Sequence, residues 1–448
     1  MIKRDKRRIK NCFWIFLFLL ITEGIFRRWL FPSLNNVFLV ARDPFVIYAI
    51  FLGIKAGLLR DTPAILMLFL SILCFFSALF FGHGNIIVAL YGMRILLYFP
   101  YIFITARVLS RDDVLKIGRI FVMLIVPMTL LCMVQFVSPQ SSFVNIGVAG
   151  SEEGAGFGGA MGYFRPPGIF TFIAALTDYY AISLSFLLYF ILNEKDALKV
   201  HLSKTVLYAA VFFYIISIPV SISRTHLVLS IFILCFYLIA VANNTKQLPK
   251  LILGSVLIIV SILVAELFVP DIDLYTTVFS ERFKGANSAE GGLAASAYER
   301  TFGWAMRAFD KAPIMGYGDG YFTNVGMTIL HGDVSDYTGE LAKIEDSTEM
   351  EWGRVICEDG LILGSCILLL RFYITINVFI KARKAFLRLG DMLPWLLLPF
   401  SMHQILICPL KAPYHLGFLS VIAIACLSVL RQDLMLYKYR KIKHNYGY

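Results

Sequence analysis

Charge is what this chain lacks. Only 16% of its 448 residues are Asp, Glu, Lys or Arg, against roughly a quarter in an ordinary soluble domain. That scarcity excludes a water-soluble globular fold of this length. A usable cysteine pattern is missing too. Cys12, Cys74, Cys132, Cys235, Cys357, Cys366, Cys408 and Cys426 all lie in or beside apolar stretches, and none pairs at metal-ligand spacing. Neither a disulfide framework nor a metal site is expected, and the thiols read as small buried hydrophobes. The basic segment from Met1 to Lys10 leads straight into further apolar spans, so no cleavable signal peptide is expected. Internal repeats, and the paired broken spans that mark many transporters, are not evident.

What is present is apolar. Hydrophobic residues make up 58% of the chain and the mean hydropathy is +0.74. Crossing the hydrocarbon core takes about 20 apolar residues in a helix. Twelve stretches fit, at 12–30, 36–54, 63–82, 86–107, 117–137, 169–192, 205–221, 225–242, 249–269, 357–380, 393–410 and 413–430. The expected fold is an all-α polytopic integral membrane protein, one membrane domain over 1–448.

The net charge of +11 is not spread evenly. With the N-terminus placed in the cytoplasm, 23 of the 41 Lys/Arg but only 8 of the 30 Asp/Glu fall in cytoplasmic segments. That asymmetry follows the positive-inside rule and puts both termini inside. The basic tails are therefore orientation signals, and no nucleic-acid partner is expected.

This topology leaves two long loops outside, Ser138–Gly168 and Pro270–Trp352. The first contains Gly154-Ala155-Gly156-Phe157-Gly158-Gly159, with no strand–Gly–helix context for phosphate, and reads as a flexible lid or linker. The second holds 14 Asp/Glu and 6 Lys/Arg. A loop of that length inside a compact domain is usually functional or disordered. Within it, residues 297–311 have helical spacing, and Arg300, Trp304, Arg307 and Lys311 share a face. That stripe fits a defined anion, or else an amphipathic helix lying on lipid.

Charges within spans are expensive and mark sites or buried pairs. Arg94, Asp178 and Arg371 lie deep in theirs, and Arg42-Asp43 reads as a self-neutralising pair. Ser221-Ile222-Ser223-Arg224-Thr225 forms a tight outward turn whose arginine defies the charge bias, so an anion is expected to hold it. At the start of the tenth span, Glu351, Glu358 and Asp359 lie within helical reach of Arg354. They can serve as structural ion pairs, or one carboxylate can act as a base.

In this order these pieces resemble the O-antigen ligase and polymerase family of bacterial envelope glycosyltransferases, in an exopolysaccharide polymerase-like form. The resemblance rests on Ser-Ile-Ser-Arg-Thr at 221–225, Arg165-Pro166-Pro167-Gly168, the segment Glu299 to Pro313 with Gly316-Tyr317-Gly318, and Glu358-Asp359-Gly360 with Gly364. It is tight only in these patches. Ligases of the family carry His-Asn where this chain has Glu349-Met350, which favours a polymerase.

The resemblance implies a bacterial cytoplasmic (inner) membrane protein that polymerises polyprenyl-pyrophosphate-linked oligosaccharide repeat units on the outer face, inverting and without metal or other cofactor. Ligase-type transfer to a lipid or protein acceptor is the alternative, and a flippase for lipid-linked sugar is another. The partners implied are the lipid-linked donor, a glycan acceptor, membrane lipid, and chain-length regulators or other polysaccharide assembly proteins. Arg165, Arg224, Arg300, Arg307 and Arg354 are the expected pyrophosphate ligands. Arg224 and Arg300 also stabilise the transition state, Glu349 or Glu351 is the base, and Arg94, Asp178 and Glu358 give intramembrane support.

Overall fold

The computed structural model describes residues 2–243, 249, 260–267, 269–331 and 350–445. Nine helical segments among them are long and apolar enough to cross a membrane: Ile2–Leu30, Pro32–Lys55, Thr62–Phe80, Ile86–Thr105, Arg111–Val137, Ile173–Leu192, Arg224–Ala242, Glu351–Leu389 and Pro413–Met435. This all-α architecture is compatible with a multi-pass membrane protein.

Three of the twelve expected spans differ. The stretch at 205–221 is a 17-residue helix, Lys204–Val220, and that at 393–410 is a 14-residue helix, Leu393–Leu406. Most of 249–269 lies outside the described residues. Serine, asparagine and proline set the boundaries. Asn85 accepts from the Ile87 and Val88 amides at 3.0 and 3.3 Å, and Ser110 forms a capping box with Asp113, each satisfying amides the helix cannot.

The expected lid at Ser138–Gly168 is folded and pinned. Its centre is the one sheet among the described residues, an antiparallel hairpin of β1 (Phe157–Ala160) and β2 (Tyr163–Arg165). The wholly buried Arg28 donates to the carbonyls of Ile146, Gly168 and Phe170 at 2.8, 2.7 and 2.9 Å. The Gln135 amide bridges Val144 and Gly168. Gly24 permits this approach, since a Cβ there would lie 2.1 Å from the Ile169 carbonyl oxygen. Within the loop a Cβ on Gly154 or Gly156 would come within 2.4 or 2.7 Å of Gln140 Oε1, while one on Gly158 or Gly162 would meet nothing within 4 Å.

The Pro270–Trp352 loop carries its own helices. We label α1 Ile272–Glu290, α2 Trp304–Lys311 and α3 Asn324–His331. The expected regular helix over 297–311 is interrupted by a π turn, Glu299–Gly303. A wider turn takes up extra residue, so Arg300 loses α-helical phase with Trp304, Arg307 and Lys311. The single straight stripe is therefore corrected to two segments.

Candidate functional site

Arg282 and Arg224 both lie close enough to Arg165 for their charges to act on it, and each of the three is placed by a different element. Arg165 ends β2. Arg224 opens the helix Arg224–Ala242, just after Ile222, whose φ of +48° is an uncommon conformation for a β-branched residue. Three hydrogen bonds secure that turn: Ser223 caps the His226 amide at 3.3 Å, His226 contacts Ser221 Oγ at 3.2 Å, and Thr177 and Ser223 hydroxyls meet at 3.2 Å. Stacking of Tyr180 on His226, centroids 4.8 Å apart, adds support.

Arg282 comes from α1. Tyr275 and Val278 on that helix are buried, and Tyr275 meets Phe136 edge-on at 4.6 Å while Phe136 stacks on Tyr163 of the hairpin at 4.9 Å. Tyr275, Val278 and Arg282 share a helical face, so docking the apolar part delivers the arginine. The outcome is a concentration of positive charge. Burial, then Arg282, then Arg224 lower the Arg165 pKa, and the Arg165 Nε is buried without a hydrogen-bond partner. Like charges held together at a dry boundary favour a multivalent anion.

Beside this cluster lies a second buried group. Asp178, from Ile173–Leu192, contacts His415 Nδ1 at 2.5 Å and accepts from Gln404 Nε2 at 2.8 Å. The ligand atoms of Asp178, Cys408 and His415 all lie within 4.8 Å of one another. Asp178 follows Thr177, whose hydroxyl reaches Ser223, so the dyad and the arginine turn are neighbours.

A third assembly anchors the large loop. The turns Ile314–Gly320 and Cys357–Leu361 interlock through Tyr317 N–H to Cys357 O and Gly318 N–H to Glu358 O, both 2.8 Å, and Leu361 N–H to Ile314 O at 3.0 Å. Glycine is required here. Gly316 and Gly360 have φ of +77° and +76°, and a Cβ on Gly316 would lie 2.2 Å from the Glu358 carbonyl oxygen.

Beneath these turns sits an ion network. Glu351 Oε1 accepts from Arg354 Nη2 at 3.1 Å and Arg371 Nη1 at 2.5 Å, while its Oε2 accepts from Arg354 Nε at 3.2 Å and the Leu410 amide at 2.8 Å. Arg354 also pairs with Glu358, which accepts from the Phe322 amide at 2.7 Å. All four charged side chains are buried. Glu351, expected as a base, and Arg354, expected as a pyrophosphate ligand, are both enclosed in this network. Glu351 has four donors for about four lone-pair sites, which leaves nothing to take a proton from a substrate.

The other expected residues are placed as follows. Arg307 pairs with Glu299, both part-exposed. Arg300 is described only through its backbone in the π turn, and Glu349 lies outside the described residues. Arg94 bonds Asp43 at 2.6 Å, and Arg42 bonds Glu23 at 2.8 Å. The supposed Arg42-Asp43 pair is therefore two cross-helix pairs, because successive helical residues point about 100° apart. Arg282, His415 and Gln404 are residues that the sequence reading passed over.

Asp319, in the interlocked turn, is buried with its Oδ2 unpartnered. Burial, then Asp359 and Glu358, push its pKa well above the usual carboxylate range. The folded state therefore holds a proton that the unfolded chain releases above about pH 4, and stability falls as pH rises from there. Asp319→Asn is expected to melt at higher temperature than the wild type at neutral pH, with a flatter pH dependence. Melting curves in detergent between pH 4 and 8 check this, and a lower neutral-pH melting point would contradict it.

Compared with known proteins, the chain matches no family model, no curated protein and no solved structure.

Proposed function

We propose that this protein is a membrane glycosyltransferase that polymerises polyprenyl-pyrophosphate-linked oligosaccharide repeat units on the outer face of a bacterial cytoplasmic membrane. The carrying observation is the convergence of Arg165, Arg224 and Arg282, with Arg165 Nε buried and unpartnered. In such a reaction the donor is cleaved at its anomeric carbon and the leaving group is a lipid pyrophosphate. Negative charge on that leaving group grows in the transition state, where pre-placed guanidinium groups stabilise it. Bidentate geometry also orients it. The twelve-span topology with both termini inside belongs to this reading, because it puts the cluster where exported glycans are handled.

Arginine supplies the positive charge in this scheme, and the acceptor hydroxyl attacks the anomeric carbon from the side opposite the pyrophosphate, inverting it. In this reading Arg307 and Arg300, on the same large loop, contact the glycan or the carrier as the donor arrives. Ligase-type transfer to another acceptor uses the same donor chemistry.

The deciding experiment is reconstitution of the full chain in liposomes with a purified lipid-pyrophosphate-linked repeat unit. Products are scored as polymer, as glycan moved to another acceptor, or as donor moved across the bilayer. Polymer formation supports the reading. Transbilayer movement without any new glycosidic bond overturns it in favour of a flippase.

A further inference from the structure

Glycosyl transfer to a hydroxyl needs an acceptor for the hydroxyl proton, and the enclosed Glu351 has no lone pair to offer. The Asp178–His415 dyad has what that task needs. His415 Nδ1 lies 2.5 Å from Asp178 Oδ2; an ionised aspartate selects the tautomer whose Nδ1–H donates to it, which leaves the lone pair on Nε2. Among the described residues, His415 Nε2 has no hydrogen-bond partner. The Asp178 carboxylate is itself held, by Gln404 Nε2 at 2.8 Å. Orienter, imidazole and second support form the arrangement expected of an activated base.

Two further observations point to a ligand at this place. Gln404 is wholly buried, yet its Oε1 has no partner, and neither has the buried Nδ1 of His403. Orphaned buried polar atoms of this kind are costly unless something polar completes them. An aromatic path also runs from the surface to the dyad. Phe157 of the hairpin, exposed, meets Phe172 at 4.4 Å, Phe172 stacks on Tyr414 at 5.7 Å, and Tyr414 meets His415 at 4.4 Å. Such ring faces suit a sugar's apolar side. On the other side, Thr177 and Ser223 join the dyad's helix to the Arg224 turn.

We infer that His415, oriented by Asp178, is the proton acceptor for the attacking sugar hydroxyl, and that Gln404 Oε1 receives a hydroxyl of the same acceptor glycan. The inference rests on the glycosyl-transfer reading above. In the step, the acceptor oxygen forms a bond to the donor's anomeric carbon while the bond from that carbon to the pyrophosphate oxygen breaks. The electron pair of the broken bond leaves with the pyrophosphate, held by the arginines. The hydroxyl proton passes to His415 Nε2, and the imidazolium, stabilised by Asp178, later releases it to water. The charged and titratable groups facing His415 are Asp178 from Ile173–Leu192, His403 from Leu393–Leu406, Cys408 from the connecting segment, and Tyr414 beside it.

A metal ion held by Asp178, Cys408 and His415 is the competing use of these atoms. Their ligand atoms all lie within 4.8 Å of one another, so the chelation arm of the test below separates the two uses.

The test uses the full-length protein in liposomes with the lipid-linked repeat unit. His415→Gln is expected to lower kcat about 100-fold or more, while binding of the lipid-pyrophosphate donor stays within about twofold of wild type. His415→Ala should regain part of its rate when imidazole is added. Asp178→Asn should lower kcat with KM unchanged, and Asp178→Glu should recover part of it, a pattern that mere structural support would not give. Wild-type kcat in His415→Gln overturns the inference, as does loss of activity in Glu349→Gln alone. Loss of activity on chelation that zinc restores also overturns it, in favour of the metal. If wild-type protein makes no glycosidic bond from any lipid-linked donor, the functional reading fails, and this inference with it. Should His415→Gln not fold, imidazole rescue of His415→Ala and the two Asp178 variants decide.

Discussion

Arg224→Lys is expected to cut polymer formation about 100- to 1000-fold, the loss typical when one donor to a developing anion is removed, with the protein still folded. Lysine keeps the charge, so the loss would come from geometry. A guanidinium offers two parallel N–H donors to one phosphate, and an ammonium offers a point charge. The turn that carries Arg224 is set by Ser223, His226 and Thr177 through bonds that do not involve the guanidinium, so the substitution should leave the fold intact. Arg282→Ala should fall in the same range, because α1 docks through Tyr275 and Val278 and does not depend on the arginine. The two losses together should be smaller than their product, since groups acting on one charge are not additive. The readout is initial rate and product length in the reconstituted reaction, beside donor binding. Polymer of normal length and rate from either variant would sink the pyrophosphate assignment.

Arg224 could be read from sequence because it breaks a local rule, sitting in a turn that the expected topology should leave without a cation. Arg165 was reached through the resemblance carried by Arg165-Pro166-Pro167-Gly168. Arg282 breaks no rule that is visible locally, lying between Glu281 and Phe283 in an amphipathic stretch. Its signal was the spacing of Tyr275, Val278 and Arg282, which places a cation at the end of an apolar face. His415 carried no signal. A histidine at the mouth of an apolar helix reads as core, and its partner Asp178 lies 237 residues away in the chain.

Periodicity has a matching blind spot. It assumes 3.6 residues per turn, so it marked residues 297–311 as one regular helix and could not register the π turn at Glu299–Gly303. The glycine-rich loop was misjudged for a related reason. Glycine spacing does not distinguish freedom from close packing, and it does not reveal the hydrogen bonds that Arg28, far off in the chain, and Gln135, just before the loop, make to it. Span positions were clearer, because apolar length is a local property.

Removing Arg354 should unsettle the fold more than any single change to the arginine cluster. Arg354→Met would leave Glu351 with Arg371 and the Leu410 amide, and Glu358 with only the Phe322 amide. Breaking a buried pair from one side leaves an uncompensated charge, at a cost of about 3–5 kcal/mol. The loss should spread, because these side chains tie three parts of the chain together. Arg371 Nε bonds the Ile405 carbonyl at 2.6 Å and Trp352 Nε1 the Leu406 carbonyl at 2.5 Å, and the same segment supplies Gln404 and Cys408 to the Asp178–His415 group. The expected result is therefore a lower melting temperature in detergent together with impaired transfer. Adding Glu358→Gln to Arg354→Met should restore much of the stability, since the unpaired charge is then gone. That recovery separates a charge penalty from lost packing volume, which a neutral glutamine would not repair. An Arg354→Met protein that melts with the wild type would mean that water reaches these carboxylates, and the network would no longer explain how the large loop is held to the bundle.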